Sequence, residues 1–361
     1  MLLPGDGGRI DLSGQSVVVV DCATPAIVIG RDAQLRIAAD NDSPDPSPLS
    51  SIPPNATRLV REMLELKVAE AERNGAPSSY ITGLRRLVFH QHRDIWRLKL
   101  GFDPAANLPP MKVELRPDAT PPKLPYEKRI TPEQLQWLKQ HLNELVVAGV
   151  IRESTTNWLA PILLVKKPKP GDWRLTVDCR YINSCTISQP YPIPDISNML
   201  MHVGHAKARC FATFDALKGY WQVLVHPDHQ HLFGFRTPVG CYEFCRCPMG
   251  ATNSGCHFQR CVNRLFKALL YDGMLSLIDD ALFYAATPDA MLSLLEQFFA
   301  ILLRHGFRLN PTKACFYASE LVWCGHLISA DGVSIDPRKA QAVRDMPMPA
   351  TVADDWQFCL A

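Results

Sequence analysis

Met274-Leu-Ser-Leu-Ile-Asp-Asp-Ala-Leu-Phe-Tyr-Ala285 is the stretch on which the reading of this chain turns. Two short apolar runs, 274–278 and 281–285, flank Asp279 and Asp280, the pattern of a β-hairpin with both acids at its turn. Asp favours turns in its own right, so a solvated turn is one reading. A metal site is the other. Adjacent carboxylates repel and are costly to bury, and a divalent cation reverses that balance. This second reading requires at least one more acid, delivered by a separate strand.

Phe211-Ala-Thr-Phe-Asp-Ala-Leu-Lys-Gly-Tyr-Trp-Gln-Val223 offers that acid. An apolar strand ends there at Asp215, Gly219 interrupts the pattern, and Tyr220 and Trp221 follow. A hairpin pairs 233–237 with 242–247 across Pro238-Val239-Gly240. Cys247-Pro-Met-Gly250 then leads into a helix predicted over 252–271, which buries Phe258, Val262, Leu265, Phe266 and Leu269. Gly273 stops it just before the acid hairpin. A second helix opens at Thr287-Pro288 and stops at Gly306, and a strand follows at 307–309. Strand, helix, hairpin, helix, strand is a split βαβ, ferredoxin-like order, with both helices on one face of an antiparallel sheet. Such a sheet sets Asp215 beside the Asp279 turn, an arrangement suited to two metal ions.

Upstream, Thr131 caps a helix, Pro132 suits its first turn, Gln134 completes a capping box and Gly149 ends it. Two strands follow, 160–167 and 173–179, joined through Pro170-Gly171-Asp172 and carrying Lys166, Lys167, Lys169, Arg174 and Arg180. Lysines protect an ordinary solvated edge; the same cations also suit a flap over phosphates. Residues 41–58, with five Pro, read as a linker, and 17–20 and 26–29 read as short strands.

The chain has 361 residues, 47% hydrophobic and 20% charged, with a net charge of +2. That describes a globular protein whose basic surface, where it has one, is local. No apolar run approaches the roughly 18–20 residues of a membrane span, and the first residues lack the pattern of a signal peptide. Twelve Cys are read as reduced thiols. The densest group (Cys241, Cys245, Cys247, Cys256 and Cys261, near His226, His229, His231 and His257) contains no Cys-x-x-Cys pair, which disfavours zinc.

Taken together, these stretches resemble the reverse transcriptase of gypsy-type LTR retrotransposons. The resemblance is carried by Ala148-Gly-Val-Ile-Arg152, Trp173-Arg-Leu-Thr-Val-Asp-Cys-Arg180, Phe214-Asp-Ala-Leu-Lys-Gly-Tyr220, Phe235-Arg-Thr-Pro238, Phe258-Gln-Arg260, Leu277-Ile-Asp-Asp280 and Trp323-Cys-Gly-His326, in order over about residues 130–347. Leu277 stands where the family usually has Tyr, and Gly255 where Pro is common.

The resemblance implies an α+β right-hand polymerase: fingers and palm over 131–330, a helical and extended connector over 59–130, and the start of a thumb, expected to be truncated, over 331–361. Upstream it implies a linker over 41–58 and the tail of a retropepsin over 1–40. Protease activity is not expected, because Asp11-Leu-Ser-Gly14 lacks the nucleophile's Asp-Ser/Thr-Gly pattern. Asp215, Asp279 and Asp280 would be the catalytic acids, holding two Mg²⁺ ions about 3.5–4 Å apart, with Mn²⁺ as a substitute. Lys166 and Arg174 would hold the triphosphate, and Met249 and Gly250 would lie near the incoming nucleotide. Tyr220 would gate the sugar; from the residues alone it reads equally well as a core aromatic. Trp323, Cys324, Gly325 and His326 would lie near the primer end. The partners implied are an RNA or DNA template-primer and deoxynucleoside triphosphates, without a membrane. The location implied is the cytoplasm, in retrotransposon particles, with the nucleus left open. A decayed, inactive fragment and a co-opted nucleic-acid or protein-binding module are the alternatives.

Overall fold

The computed structural model describes residues 9–12, 16–19, 27–30, 57–123, 129–168 and 171–345. The chain divides into two units, 1–47 with 335–361, and 48–334. In the first, β1 (Arg9–Leu12), β2 (Ser16–Val19) and β3 (Ile27–Gly30) form an antiparallel meander with Ile10 opposite Val18 and Val18 opposite Val28. Most of the expected linker, 41–56, lies outside the described residues.

The second unit opens with α1 (Thr57–Arg73), whose Val60, Leu64, Val68 and Ala71 recur at helical spacing and are buried. Next, α2 (Ser78–Arg86) buries Tyr80 and Leu84, and the Tyr80 hydroxyl donates to the Phe316 carbonyl at 2.7 Å. Trp96 follows in the connector. It packs in an aromatic cluster 6.2 Å from Phe214, 5.5 Å from Phe299 and 5.6 Å from Phe316. The expected connector therefore supplies core beneath the strand that ends at Asp215.

The helix α3 (Pro132–Val147) has the expected capping box: Thr131 and Gln134 bond each other's backbone N–H at 3.3 and 2.9 Å. After it come β4 (Ile151–Glu153), β5 (Leu159–Ala160), β6 (Ile162–Lys166) and β7 (Trp173–Val177). The predicted strand 160–167 is split at Pro161, which has no N–H for a ladder. Lys169 and Pro170, in the joining turn, lie outside the described residues.

Two short helices, α4 (Arg180–Cys185) and α5 (Ile196–His205), precede β8 (Cys210–Asp215). Then β9 (Gly234–Thr237) and β10 (Gly240–Phe244) form a sheet with earlier strands, ordered β4-β10-β9-β5. The helix α6 (Ser254–Leu265) is shorter than predicted. The chain turns through Tyr271 and Gly273, at φ +65° and +94°, to feed the next strand.

The acid hairpin is β11 (Met274–Leu277) and β12 (Asp280–Ala285). Thr287 caps α7 (Pro288–His305), and Gly306 ends it at φ +66°. The palm sheet closes with β13 (Cys315–Ala318), giving the antiparallel order β11-β12-β8-β13. This is the ferredoxin-like order, but its last strand is not the predicted 307–309. That segment makes only isolated bridges, Leu309 with Trp96 and with Ala216. Pro311 follows too soon for a ladder to extend, whereas 315–318 is free of proline.

The sheet buries both faces, and strand alternation sorts them. Ala212, Phe214, Ala281 and Phe283 face the main core with Phe258, Leu295 and Phe298 of α6 and α7. Phe211, Leu282 and Tyr284 face a second core with Met199, Leu200 and Val203 of α5. Trp323 and Ile328 join that second core from β14 (Glu320–Trp323) and β15 (His326–Ser329), which form a three-stranded sheet with β16 (Gly332–Ile335). The first unit adds α8 (Pro337–Arg344), within the expected start of the thumb, opened by Asp336, whose carboxylate accepts the Arg338 N–H at 2.9 Å. The rest of the expected thumb start, 346–361, lies outside the described residues. Among the described residues no helix is long and apolar enough to cross a membrane.

Candidate active site

Asp215 closes β8 and Asp280 opens β12, and the two are direct cross-strand partners. They share the parity of Phe211, Thr213, Leu282 and Tyr284, so they lie on the face of the second core rather than on the face covered by α6 and α7. Asp279 is one residue back, in the turn. Its carbonyl accepts the Ala216 N–H at 3.4 Å, and the Asp215 carbonyl accepts the Asn310 N–H at 3.1 Å. The topology thus brings all three sequence-predicted acids together.

Their electrostatics follow from that crowding. Burial pushes the Asp279 carboxyl up to about 7, aided by the charges of Asp215 and Asp280. Burial pushes Asp215 up to about 6, opposed by Lys313, whose ammonium lies 3.2 Å from the Asp215 carboxylate. Asp280 is raised by burial, again against Lys313. Burial, with carboxylate repulsion added to it, therefore outweighs what Lys313 and Lys218 offset. Among the described residues no three His, Cys, Asp or Glu side chains already converge on one ligation point. The donors fit Mg²⁺ all the same, because that ion is commonly held by one or two carboxylates, with water and substrate phosphates completing its shell.

The turn itself differs from the expectation. Leu277 pairs with Asp280, so the two turn residues are Ile278 and Asp279, and Asp280 belongs to the strand. The reason is a left-handed backbone at Ile278, φ +54°, which reverses the chain one residue early. For a β-branched residue that conformation is strained, at a cost of about 1–3 kcal/mol. What holds it is Gln259 of α6, fully buried, whose Oε1 accepts the Ile278 N–H at 2.6 Å. Its Nε2 donates to Asn263 Oδ1 at 2.8 Å and to the Ser276 carbonyl at 3.3 Å. Gln259 and Lys313 are functional candidates that the sequence reading missed. A Gln beside Phe258, on a helix whose neighbours are core, was the available signal for the first.

Tyr220 lies in a short 3₁₀ turn with its ring 5.3 Å from that of Phe258. Its phenol is pushed up by burial and then by the charge of Asp279, which places it beside the acids. Gly219 permits the approach: a Cβ there would come within 2.9 Å of the Phe258 ring. A Cβ at Gly255 would lie 3.6 Å from the Tyr220 hydroxyl, so the departure from Pro leaves that side of the ring open.

Met249 and Gly250 sit in a loop pinned from α4. The Asn183 amide donates to the Gly250 carbonyl at 2.8 Å and accepts the Thr252 N–H at 2.9 Å, and the Cys179 thiol reaches the Met249 carbonyl at 3.9 Å. Lys166 and Arg174 are separated by the strand register. Lys166 pairs with Trp173 and Arg174 with Val165, so alternation puts the two cations on opposite faces of the β6–β7 ribbon. Lys167 shares the face of Arg174 and is paired with Asp172 at 3.3 Å. Of the four residues expected at the primer, Trp323 is a core residue, 4% exposed, and Cys324 and Gly325 form the turn at φ +48° and +78°. His326 Nδ1 lies 3.1 Å from the Cys324 carbonyl. Cys247 and Cys261 are buried thiols, the latter pushed up to about 11 by burial.

Comparison with known proteins adds three findings. Residues 165–328 match the family described as reverse transcriptase (RNA-dependent DNA polymerase). The Pol polyprotein of transposon opus from Drosophila melanogaster is 31% identical over 69% of this chain and 25% of its own length. That of transposon gypsy from the same fly is 27% identical over 60% of the chain and 21% of its own length. The chain therefore spans about a quarter or less of these curated relatives. Among solved structures, a foamy viral protease-reverse transcriptase in complex with dsDNA aligns with a TM-score of 0.75 at 20% identity, covering 86% of this chain and 63% of that one. The same kind of protein with an RNA/DNA hybrid gives 0.73 at 21%, covering 87% and 41%. At that identity the likeness concerns the fold.

Proposed function

We propose, from the premise that this chain carries a reverse transcriptase domain of the kind found in retrotransposon Pol polyproteins, that it extends a primer 3′-hydroxyl with deoxynucleotides on an RNA or DNA template. The observation that carries this reading is the pairing of Asp215 with Asp280 across two hydrogen-bonded strands, with Asp279 at a strained turn beside Tyr220. Asp215 and Asp279 would hold the metal, and Asp280 would support the site's charge. A Mg²⁺ bound there would supply electrostatic stabilisation of the charge that develops in phosphoryl transfer.

The protein's own residues do the rest. The raised carboxyls of Asp215 and Asp279 are ionised at pH 8, where the site is most anionic and most receptive to a divalent cation. Lys313 pairs with Asp215 at 3.2 Å and offsets part of its charge. Tyr220 sits where a sugar would pack against its ring, and its bulk excludes a 2′-hydroxyl. Arg174, with Lys167 on its face, faces the triphosphate, while Met249 and Gly250 flank the incoming nucleotide. Cys324, Gly325 and His326 face the primer end, carried by a hairpin that Trp323 anchors. The strands β1–β3 are read as the tail of a retropepsin, supported by their position upstream of the polymerase unit.

Primer extension with the full chain on RNA and on DNA templates, with Mg²⁺ and with chelator, tests the proposal. Metal-dependent incorporation is expected on both templates. Salt-sensitive binding without any extension would reject it in favour of a binding module.

A further inference from the structure

We propose that Gln222 is a positioning residue for sugar selection, its side-chain amide fixing the backbone turn that presents Tyr220. The inference rests on the polymerase reading above. Gln222 is 2% exposed, on the same short turn as Tyr220 but directed into the protein. Its Nε2 donates to the Leu217 carbonyl at 2.7 Å and to the Arg308 carbonyl at 2.8 Å. Its Oε1 accepts the Arg308 N–H at 2.7 Å. One amide thus ties the start of the turn and its own end to the segment 307–309.

The anchor is itself anchored. The Arg308 carbonyl also accepts the Leu217 N–H at 3.1 Å, and the Arg308 guanidinium donates to the Asp94 carbonyl at 2.6 Å. Arg246, 7% exposed, donates to the Trp221 carbonyl at 3.1 Å and to the Asp103 carbonyl at 3.2 Å, and the Ala106 N–H donates to the Gln222 carbonyl at 2.8 Å. The turn is thereby held against residues 94–106, which lie outside the stretch matching the family.

Tyr220 needs that rigidity. Its ring is placed by packing on Phe258, and Lys218, two residues before it, already sits at φ +49°. Where the ring edge falls relative to Asp279 is therefore set by the backbone of 217–222. Discrimination between ribose and deoxyribose depends on one hydroxyl meeting that edge. A ring free to shift by a fraction of its width accepts the hydroxyl; a ring whose backbone turn is fixed by the three Gln222 hydrogen bonds does not.

The test uses the full chain with Gln222→Met, a near-isosteric side chain that makes none of the three bonds, and Gln222→Asn, which keeps the amide one methylene short. Efficiencies are measured for a ribonucleotide and its deoxy counterpart on one primer-template, with Tyr220→Ala and the Tyr220→Ala/Gln222→Met double variant alongside. Gln222→Met is expected to raise the ribo-to-deoxy ratio about tenfold, Gln222→Asn less, and the double variant to match Tyr220→Ala alone. Hydrogen exchange is expected to quicken over 216–224 while 280–285 is unchanged. An unchanged ratio with both efficiencies lowered equally, or faster exchange spreading through 210–215 and 280–285, would overturn the assignment and leave Gln222 a general core residue. A wild-type chain that extends no primer would refute the polymerase reading instead. In that case the exchange pattern alone decides whether Gln222 fixes this turn: quickening confined to 216–224 supports it, and none overturns it.

Discussion

Two hairpins of the palm unit reverse direction in two residues, and they do so at different cost. Leu277 closes on Asp280 around Ile278-Asp279, and Trp323 closes on His326 around Cys324-Gly325. The second follows ordinary turn chemistry, with glycine at one of its two left-handed positions. The first puts a β-branched residue in the left-handed region, raises two carboxyls toward neutrality, and relies on one buried amide, that of Gln259, to stay folded. Strain and unpaired charge are concentrated in the turn that bears the acids. The other turn is comparatively relaxed and is fixed to the second core through Trp323. Cost of this kind is retained where chemistry needs a fixed geometry.

The largest effect should come from removing the charge that the costly turn exists to present. Asp279→Asn is expected to lower incorporation on the order of 10³-fold, several kcal/mol of transition-state stabilisation. Circular dichroism should show an unchanged fold. Incorporation within a few-fold of wild type would show that the first hairpin is no more catalytic than the second.

The next prediction attacks the support rather than the acid. Gln259→Leu fits the space but leaves the Ile278 N–H buried without its acceptor, costing about 1–3 kcal/mol of stability. Incorporation should fall about 10–100-fold, because the turn that presents Asp279 loosens. A melt and a single-turnover rate on one preparation check both; lost stability with an intact rate would detach the strain from the chemistry.

This residue also marks where the sequence stopped being informative. The order of strands and helices was readable because its punctuation is local: Thr131-Pro132, Thr287-Pro288 and Gly306 start or stop helices by their own chemistry. The closeness of the three acids was readable because the expected strand order sets the end of one strand beside the hairpin turn. Gln259, Lys313 and Trp96 were not, since each acquires its role from a partner 19, 98 or 118 positions away, through Ile278, Asp215 and Phe214. The face on which Lys166 lies was hidden for a related reason. Composition shows that a strand is basic, but only the register of β6 on β7 shows which cation shares a face with Arg174.

Acidity offers a third comparison. The Asp279 and Asp215 carboxyls are raised above their unfolded values, so the folded chain binds protons more tightly than the unfolded one. The stability they permit is fully present below about pH 4 and is lost as pH rises toward about 7. In chelator, Asp279→Asn should therefore raise the melting temperature at pH 8 and leave it nearly unchanged at pH 4. Mg²⁺ should stabilise the wild type at pH 8 and little at pH 4. Parallel melts with and without metal decide it. Equal effects of the variant at both pH values would mean that the acids are not mutually destabilising.

The smallest effect belongs to the relaxed turn. Gly325 has φ +78°, a conformation that an alanine adopts at a cost of about 1 kcal/mol. Trp323 remains seated among Phe211, Leu282 and Tyr284 whatever stands at 325, so the hairpin keeps its place on the sheet. Gly325→Ala should therefore lower the melting temperature slightly and weaken primer-template binding a few-fold, with the incorporation rate at saturating duplex unchanged. Fluorescence anisotropy and a single-turnover rate separate the two. If the rate fell as far as in Gln259→Leu, the second turn would belong to the reacting geometry as closely as the first, and strain would no longer separate the roles proposed for the two hairpins.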